Sequence, residues 1–332
     1  MTKNLKLSSL DIVSSTYAGE LALPYVAAAI LGADSIRNNF VLTRQNVKHR
    51  LVLKKLDGFT VQPFGCDWTL PEDPSMELTE IALVPTELMV NEEICKQQFR
   101  HDWQALATGN GFINDRIPED FNNFLLGYAA GKVNETIERT LWRGLYNETD
   151  GTTVGGQAES HFAGIMRNVV LQAANLGYDG QVAGTFTADN NATTGILTHL
   201  DALVANAPDT IQNMTNSAIY MSRKSLFLLQ RAMAGVAVTQ GGYSATFVGD
   251  PRPTNFLGFP IVTPAGFPND TIILSYRDNY NFGTDLSNDF NQVLVIDRTP
   301  IAGDDNVRLS MRFTAGTQIV APEDIAVIRR TS

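Results

Sequence analysis

The chain is poor in the residues that usually announce chemistry. It has two cysteines, Cys66 and Cys95, in 332 residues. They lack C-x-x-C spacing and make no disulfide framework, which points to a reducing compartment rather than secretion. The four histidines, His49, His101, His161 and His199, lie far apart, with no H-E-x-x-H pair, so no metal site is expected. Basic charge is also scarce. Lys and Arg number 25 against 35 Asp and Glu, a formal net charge of −10. That balance argues against a dedicated nucleic-acid binder, whose phosphate contacts need a basic surface, and against an anionic membrane surface. Long apolar runs are missing as well. The best membrane candidate, residues 21–33, is too short to cross a bilayer and is bracketed by Glu20 and Asp34. It reads as a short Ala-rich helix stopped near Gly32. At the N-terminus, Lys3 and Lys6 precede a polar run instead of the apolar core of a signal peptide.

Catalytic motifs are absent in the same way. Gly242-Tyr-Ser244 resembles the start of a nucleophile elbow, but Thr246 stands where the second glycine belongs. Gly109-Asn-Gly111 lacks the third glycine of a dinucleotide loop, and no phosphate-binding G-x-x-x-x-G-K occurs. Asp304-Asp305 and Asp189-Asn-Asn lack calcium-loop spacing and read as turns. No catalytic residue, cofactor or metal ligand is nominated.

What the chain does have is an order of parts. With 44% hydrophobic residues it can bury a sizeable core, split over two subdomains. A first segment, residues 1–36, reads as an arm. Residues 40–43 and 47–56 are rich in β-formers. Turn chemistry follows at Asp57-Gly58, Pro63, Gly65 and residues 71–74, and a return strand over 76–84 ends at Pro85. Together residues 37–84 form an extended β-hairpin. Its charges are segregated. The outgoing limb carries Arg37, Arg44, Lys48, Arg50, Lys54 and Lys55 with no acid among them. The returning limb carries Asp67, Glu72, Asp73, Glu77 and Glu80, continuing to Glu87, Glu92 and Glu93. Two readings stand, and both can hold. The limbs pair with each other across the hairpin, or a bipolar arm lies over neighbouring copies of the chain, where complementary charge fixes register.

Residues 118–144 carry the strongest helical signal. Pro118 suits the first helical position, and Glu119 and Asp120 complement the dipole of the first turn. Phe121, Phe124, Leu125, Tyr128, Val133, Ile137 and Leu141 mark an apolar stripe, and Gly144 stands where a cap belongs. Gly127 and Gly131 offer a bend or a close backbone approach. Further on, 193–206 reads as helix, and 217–221 as a strand running into a helix over 223–234 ended by Gly235. Residues 259–263 and 271–275 read as short strands. Val307, Leu309, Met311 and Phe313 alternate with polar residues in a clean period of two. Residues 292–297 and 325–329 are the expected companions of that strand.

This succession resembles the major capsid proteins of tailed bacteriophages, with the fold known from phage Hong Kong 97. The resemblance runs through Gly19-Glu-Leu-Ala-Leu-Pro-Tyr, Asn46-Val-Lys-His-Arg-Leu-Val-Leu-Lys, Leu83-Val-Pro-Thr-Glu-Leu, Gly258-Phe-Pro-Ile-Val, Asn269-Asp-Thr-Ile-Ile-Leu and Ala321-Pro-Glu-Asp-Ile-Ala. It implies an α+β fold with an N-terminal arm (1–36), an extended loop (37–84), a peripheral domain whose first part (85–149) holds a spine helix (118–144), an axial domain (150–283), and closing peripheral strands (284–332). It further implies a non-enzymatic subunit that forms pentamers and hexamers of an icosahedral head around double-stranded DNA, held without sequence-specific contacts. The head belongs to the virion and assembles in the bacterial cytoplasm. A portal and a separate scaffolding protein are the expected partners, with a decoration or cement protein as a further candidate and no membrane. The charged hairpin residues are then the candidate inter-subunit contacts. Two other readings differ in function: an encapsulin nanocompartment shell of the same fold, and an unassigned cytoplasmic hydrolase.

Overall fold

The computed structural model describes residues 14–18, 30–58, 76–95, 119–147, 161–188, 194–239, 255–285, 292–298 and 306–331. Among these, the longest strand explains the first of two mixed sheets. β13 (Asn306–Ile319) keeps Val307, Leu309, Met311 and Phe313 buried while Arg308 and Arg312 point outward, as a period of two requires. Its first ten residues pair with β5 (Thr86–Cys95), and residues 307–312 also pair with β12 (Gln292–Asp297). Its end pairs with β11 (Tyr280–Gly283), which lies parallel to β2 (Leu42–Arg44). β1 (Ser14–Ala18) closes the far edge on β12.

The second sheet has the order β6 (Tyr178–Ala183), β14 (Ala326–Thr331), β10 (Ile272–Tyr276), β7 (Ser217–Met221), β9 (Phe259–Val262) and β8 (Asn255–Phe256). Its strands serve two cores. Tyr220, Ile273 and Val327 face a cluster shared with the first sheet, and Ile219, Met221, Ile272, Leu274, Ala326 and Ile328 face the other side. The residues of that second face pack with side chains of two helices, Ile196–Ala205 and Arg223–Thr239. Strands buried on both faces need apolar residues at consecutive positions, which is why Ser217–Met221 and the start of β14 are buried throughout.

β14 therefore corrects one expectation. It does not accompany β13 but lies between β10 and β6 in the other sheet. A 3-10 turn at Pro322–Asp324 redirects the chain between the two strands. The helix from Arg223 also differs from expectation, because it continues through Gly235 to Thr239. One glycine costs a helix about 1 kcal/mol, which Val236, Ala237 and Val238 beyond it do not turn into a stop. Ser222 begins this helix by accepting the Ser225 N–H at 3.1 Å.

The long helix, labelled α2 after the single turn α1 (Asp34–Arg37), spans Glu119–Arg143. Twenty-five residues at 1.5 Å each give a rod about 37 Å long. Leu126, Ala129, Val133, Ile137 and Leu141 form its buried stripe. The side chains of Phe121, Phe124 and Leu125 lie outside the described residues. Gly127 and Gly131 are on its exposed face, where an added Cβ would meet nothing within 4 Å. Gly144 is not the left-handed residue after the helix. Leu145 takes that conformation, with φ 58°. Gly144 is needed for a different reason: a Cβ there would collide with the Phe162 carbonyl. The chains meet closely at this point, the Gly164 N–H donating to the Gly144 carbonyl at 2.9 Å.

A buried polar node fixes α1 on α2. Glu138 accepts the Ser35 N–H at 2.8 Å and the Ser35 hydroxyl at 2.6 Å, while Trp142 Nε1 donates to Ser35 Oγ at 2.7 Å. Trp142 itself is fully buried among Tyr220, Phe267 and Tyr280. Burying a carboxylate here is tolerable because three hydrogen bonds meet it, the third from the Gly266 N–H.

Candidate functional site

The hairpin is a separate two-stranded sheet, β3 (Leu51–Asp57) with β4 (Glu77–Leu83). Its register places Val52 opposite Ala82, Lys54 opposite Glu80 and Leu56 opposite Leu78. Alternation then puts these pairs on one face and Leu51, Leu53, Lys55, Thr79, Ile81 and Leu83 on the other. The second face is turned to the body. Leu53 and Leu83 are buried there with Val47, against Val320. The Leu83 side chain sits directly on the backbone of Gly283, where a Cβ would come within 2.7 Å of Leu83 Cδ2.

The outward face is largely apolar and exposed. Leu56 is 62% exposed and Met76, Leu78 and Val84 are each more than half exposed. Single exposed apolar side chains are ordinary. A row of them on one side of a thin hairpin is the kind of patch that marks a contact surface. Lys54 and Glu80 cross its middle at 2.8 Å, both about half exposed, a pairing worth roughly 0.2–1 kcal/mol.

The charged residues singled out from the sequence separate into groups. Lys54 and Glu80 meet as limbs paired across the hairpin, and Asp57 stands opposite Glu77 in the register. Lys55 turns the other way, reaching Glu323 at 2.6 Å and Asp324 at 3.1 Å on the turn before β14. Burial works against the charge on Lys55, but its hydrogen bonds to Glu323 and Asp324 outweigh that and raise its pKa above the ordinary lysine range. Arg37 lies 3.6 Å from Asp34 on the surface, and Arg44 donates from Nε to Asn281 Oδ1 at 3.3 Å. Lys48 and Arg50 are exposed on the lead into β3. Asp67, Glu72 and Asp73 fall outside the described residues. The acids beyond Pro85 are not on the hairpin. Glu87, Glu92 and Glu93 lie on β5, where Glu93 binds Arg308, Arg298 and Asn306 at 2.8–3.0 Å. These bonds, Arg308 first, hold its carboxyl below the usual range.

Nothing among the described residues assembles a reaction centre. No group of three or more His, Cys, Asp or Glu side chains is placed to hold a metal ion there. His199 stacks edge-on against Phe186, and His161 and His49 are exposed. An open groove of about 830 Å³ runs between α2 and β5, walled largely by Leu88, Val90, Tyr128, Val133, Ile137 and Phe162. Among the described residues no helix is long and apolar enough to cross a membrane.

No family model and no curated protein matches the chain. Solved structures do. A chain of the satellite phage P4 procapsid that includes the size determination (Sid) protein superposes with a TM-score of 0.58 at 9% identity, covering 93% of this chain and 99% of its own. The capsid of an empty GTA particle, computed with C5 symmetry, gives 0.53 at 13% identity, covering 92% and 97%. A chain from Gordonia phage Cozz gives 0.53 at 12%, covering 90% and 87%. The mixed α+β architecture is thus a phage-capsid fold, and it extends over nearly the whole chain. At these identities the likeness is one of backbone alone, since almost every side chain differs.

Sequence reasoning found the hairpin and its charges but missed its outward apolar face. The signal was present in the alternation Met76, Leu78, Glu80, Ala82, Val84, which is obscured by Ile81 and Leu83 on the opposite parity. It also missed Glu323 and Asp324, which only the fold carries to Lys55.

Proposed function

We propose that this chain is the major shell subunit of a tailed-phage head, which closes as pentamers and hexamers into an icosahedral capsid around double-stranded DNA. The observation that carries the reading is the near end-to-end correspondence with capsid chains, more than 90% of both partners for the P4 procapsid and the empty GTA particle. In this reading α2 is the spine of a peripheral domain, the second sheet with its two helices belongs to an axial domain around the symmetry axes, and β3–β4 is the extended loop. The hairpin lies on a neighbouring copy, its apolar row of Leu56, Met76, Leu78 and Val84 giving affinity and its charged residues giving register. A portal, a separate scaffolding protein and, in some heads, a decoration protein complete the particle. Net charge of −10 suits a wall that encloses DNA without holding it.

The test is electron microscopy of the purified chain at high concentration. Closed shells, or rings of five and six, are expected. A monodisperse monomer or small oligomer under all assembly conditions overturns the proposal. Native particles that hold an enzyme instead of a genome transfer the chain to the nanocompartment class.

A further inference from the structure

The hairpin is fastened to the body at successive levels along its length. Along the inner part, Leu83 and Leu53 are buried beside Val320. Between their levels, Gln318 Nε2 donates to the Ala82 carbonyl at 3.0 Å. Farthest out, Lys55 reaches Glu323 and Asp324. Beyond Lys55, Leu56, Leu78 and Met76 are exposed.

These fastenings differ in how they can be undone. Lifting the base exposes two buried leucines, one of them seated against Gly283. Lifting Lys55 breaks an ionic contact at the end of a flexible stem, and water resolvates the ammonium. The usual obstacle to such a step is the partner left behind, since an unpaired buried carboxylate is costly. Asp324 is 4% exposed, yet it is not stranded. Thr210 Oγ1 donates to its Oδ1 at 2.7 Å and the Tyr276 hydroxyl donates to its Oδ2 at 3.2 Å. Both donors come from the body and stay when the hairpin moves. Burial, then the neighbouring Asp324 charge, holds the Tyr276 phenol in its protonated, donating form. Glu323, the other acceptor, is half exposed and passes to water. The site is built so that the lysine can leave.

We infer that Lys55 with Glu323 and Asp324 is a releasable latch that holds the outer half of the β3–β4 hairpin at one angle on the body and lets it take a second when released. The link to assembly rests on the shell reading: identical chains around fivefold and sixfold axes meet different neighbours, so one arm must hold more than one angle. The latch itself is a property of the subunit and is tested on it.

Hydrogen-exchange mass spectrometry on the unassembled full chain reads the latch through the peptides covering 51–57 and 77–83. Lys55→Met is expected to speed exchange in those peptides roughly 5- to 30-fold while α2 and β13 keep their protection. Lys55→Arg, which can still pair, restores slow exchange, and Lys54→Met, which loses only the exposed pair with Glu80, speeds it less than Lys55→Met does. The double variant Thr210→Val with Tyr276→Phe strips Asp324 of the donors it keeps after release, so opening becomes harder and hairpin exchange slows. Unchanged exchange in Lys55→Met overturns the latch. So does equal loosening of the whole chain, or faster hairpin exchange in the double variant. Failure of the unmutated chain to form shells removes only the shell reading, because none of these outcomes depends on assembly.

Discussion

The hairpin and the closing strand β13 are both antiparallel β-structure, and they spend their side chains in opposite ways. β13 is hydrogen-bonded on both edges over 307–312, and its apolar residues go to the core without exception. Among the described residues the hairpin strands pair only with each other; they bury Leu53 and Leu83, half-bury Leu51 and Ile81, and leave Val52, Leu56 and Leu78 exposed. A strand that serves its own fold matches apolar residues to buried positions. The hairpin has more apolar residues than its own fold can cover, and the surplus lies on one face. That surplus is what a partner copy would cover.

Perturbing the two regions should therefore have opposite consequences, and the contrast weakens if it does not. The largest effect belongs to the body. Trp142→Ala removes a fully buried ring and the donor to Ser35, and should cost about 3–5 kcal/mol of subunit stability in denaturant unfolding. A loss below about 1 kcal/mol would mean that this core does not hold the subunit together. Glu138→Gln keeps the shape of that node but sets an amide where two donors from Ser35 are accepted, and about 1–3 kcal/mol is expected by the same measurement. Gly283→Ala lies between the regions. Its Cβ presses on Leu83, so the hairpin base should loosen before the body does, at about 1–3 kcal/mol.

Leu56→Ser together with Leu78→Ser should leave subunit stability within about 0.5 kcal/mol, as exposed changes do, while particle yield by sedimentation falls sharply. Normal yield from this variant breaks the comparison at its centre. The smallest effect is expected at Glu93, whose bonds to Arg308, Asn306 and Arg298 lower its pKa. A lowered carboxylate pKa adds stability above the unfolded value and loses it as pH falls through the folded one. Replacing Glu93 by Gln should therefore lower stability slightly at neutral and alkaline pH, leave it nearly unchanged below the folded-state value, and make acid unfolding less steep, as read by denaturant unfolding across pH. Lys55 has the reverse sign. Its raised pKa adds stability at every pH below the ordinary lysine range, lost only in strong alkali.

How much of this was legible depended on the range of the interaction. The helix Glu119–Arg143 and the alternation in β13 follow from neighbours three, four or two residues apart, and the sequence showed both. That the two charged limbs would face each other was one of two readings open from the sequence, since a hairpin brings its own limbs together, but that Lys54 meets Glu80 depends on the register. β5 was missed because Pro85 reads as an end. There the chain only turns from the hairpin to the edge of β13. The partners of Lys55 lie 268 and 269 residues away, and no local pattern marks them.

By itself the amino-acid order determined the long helix, the alternation of β13 and the two limbs of the hairpin, and that no reaction centre is spelled out in motifs, because backbone preference and side-chain periodicity are short-range. Only the tertiary structure decided that β14 joins the second sheet, that Gly144 and Gly283 are places of close approach, and that one lysine of an adjacent pair faces its hairpin partner while the next is held by the body. Those outcomes depend on which surfaces meet once the chain has closed, and steric fit and desolvation are properties of the assembled whole.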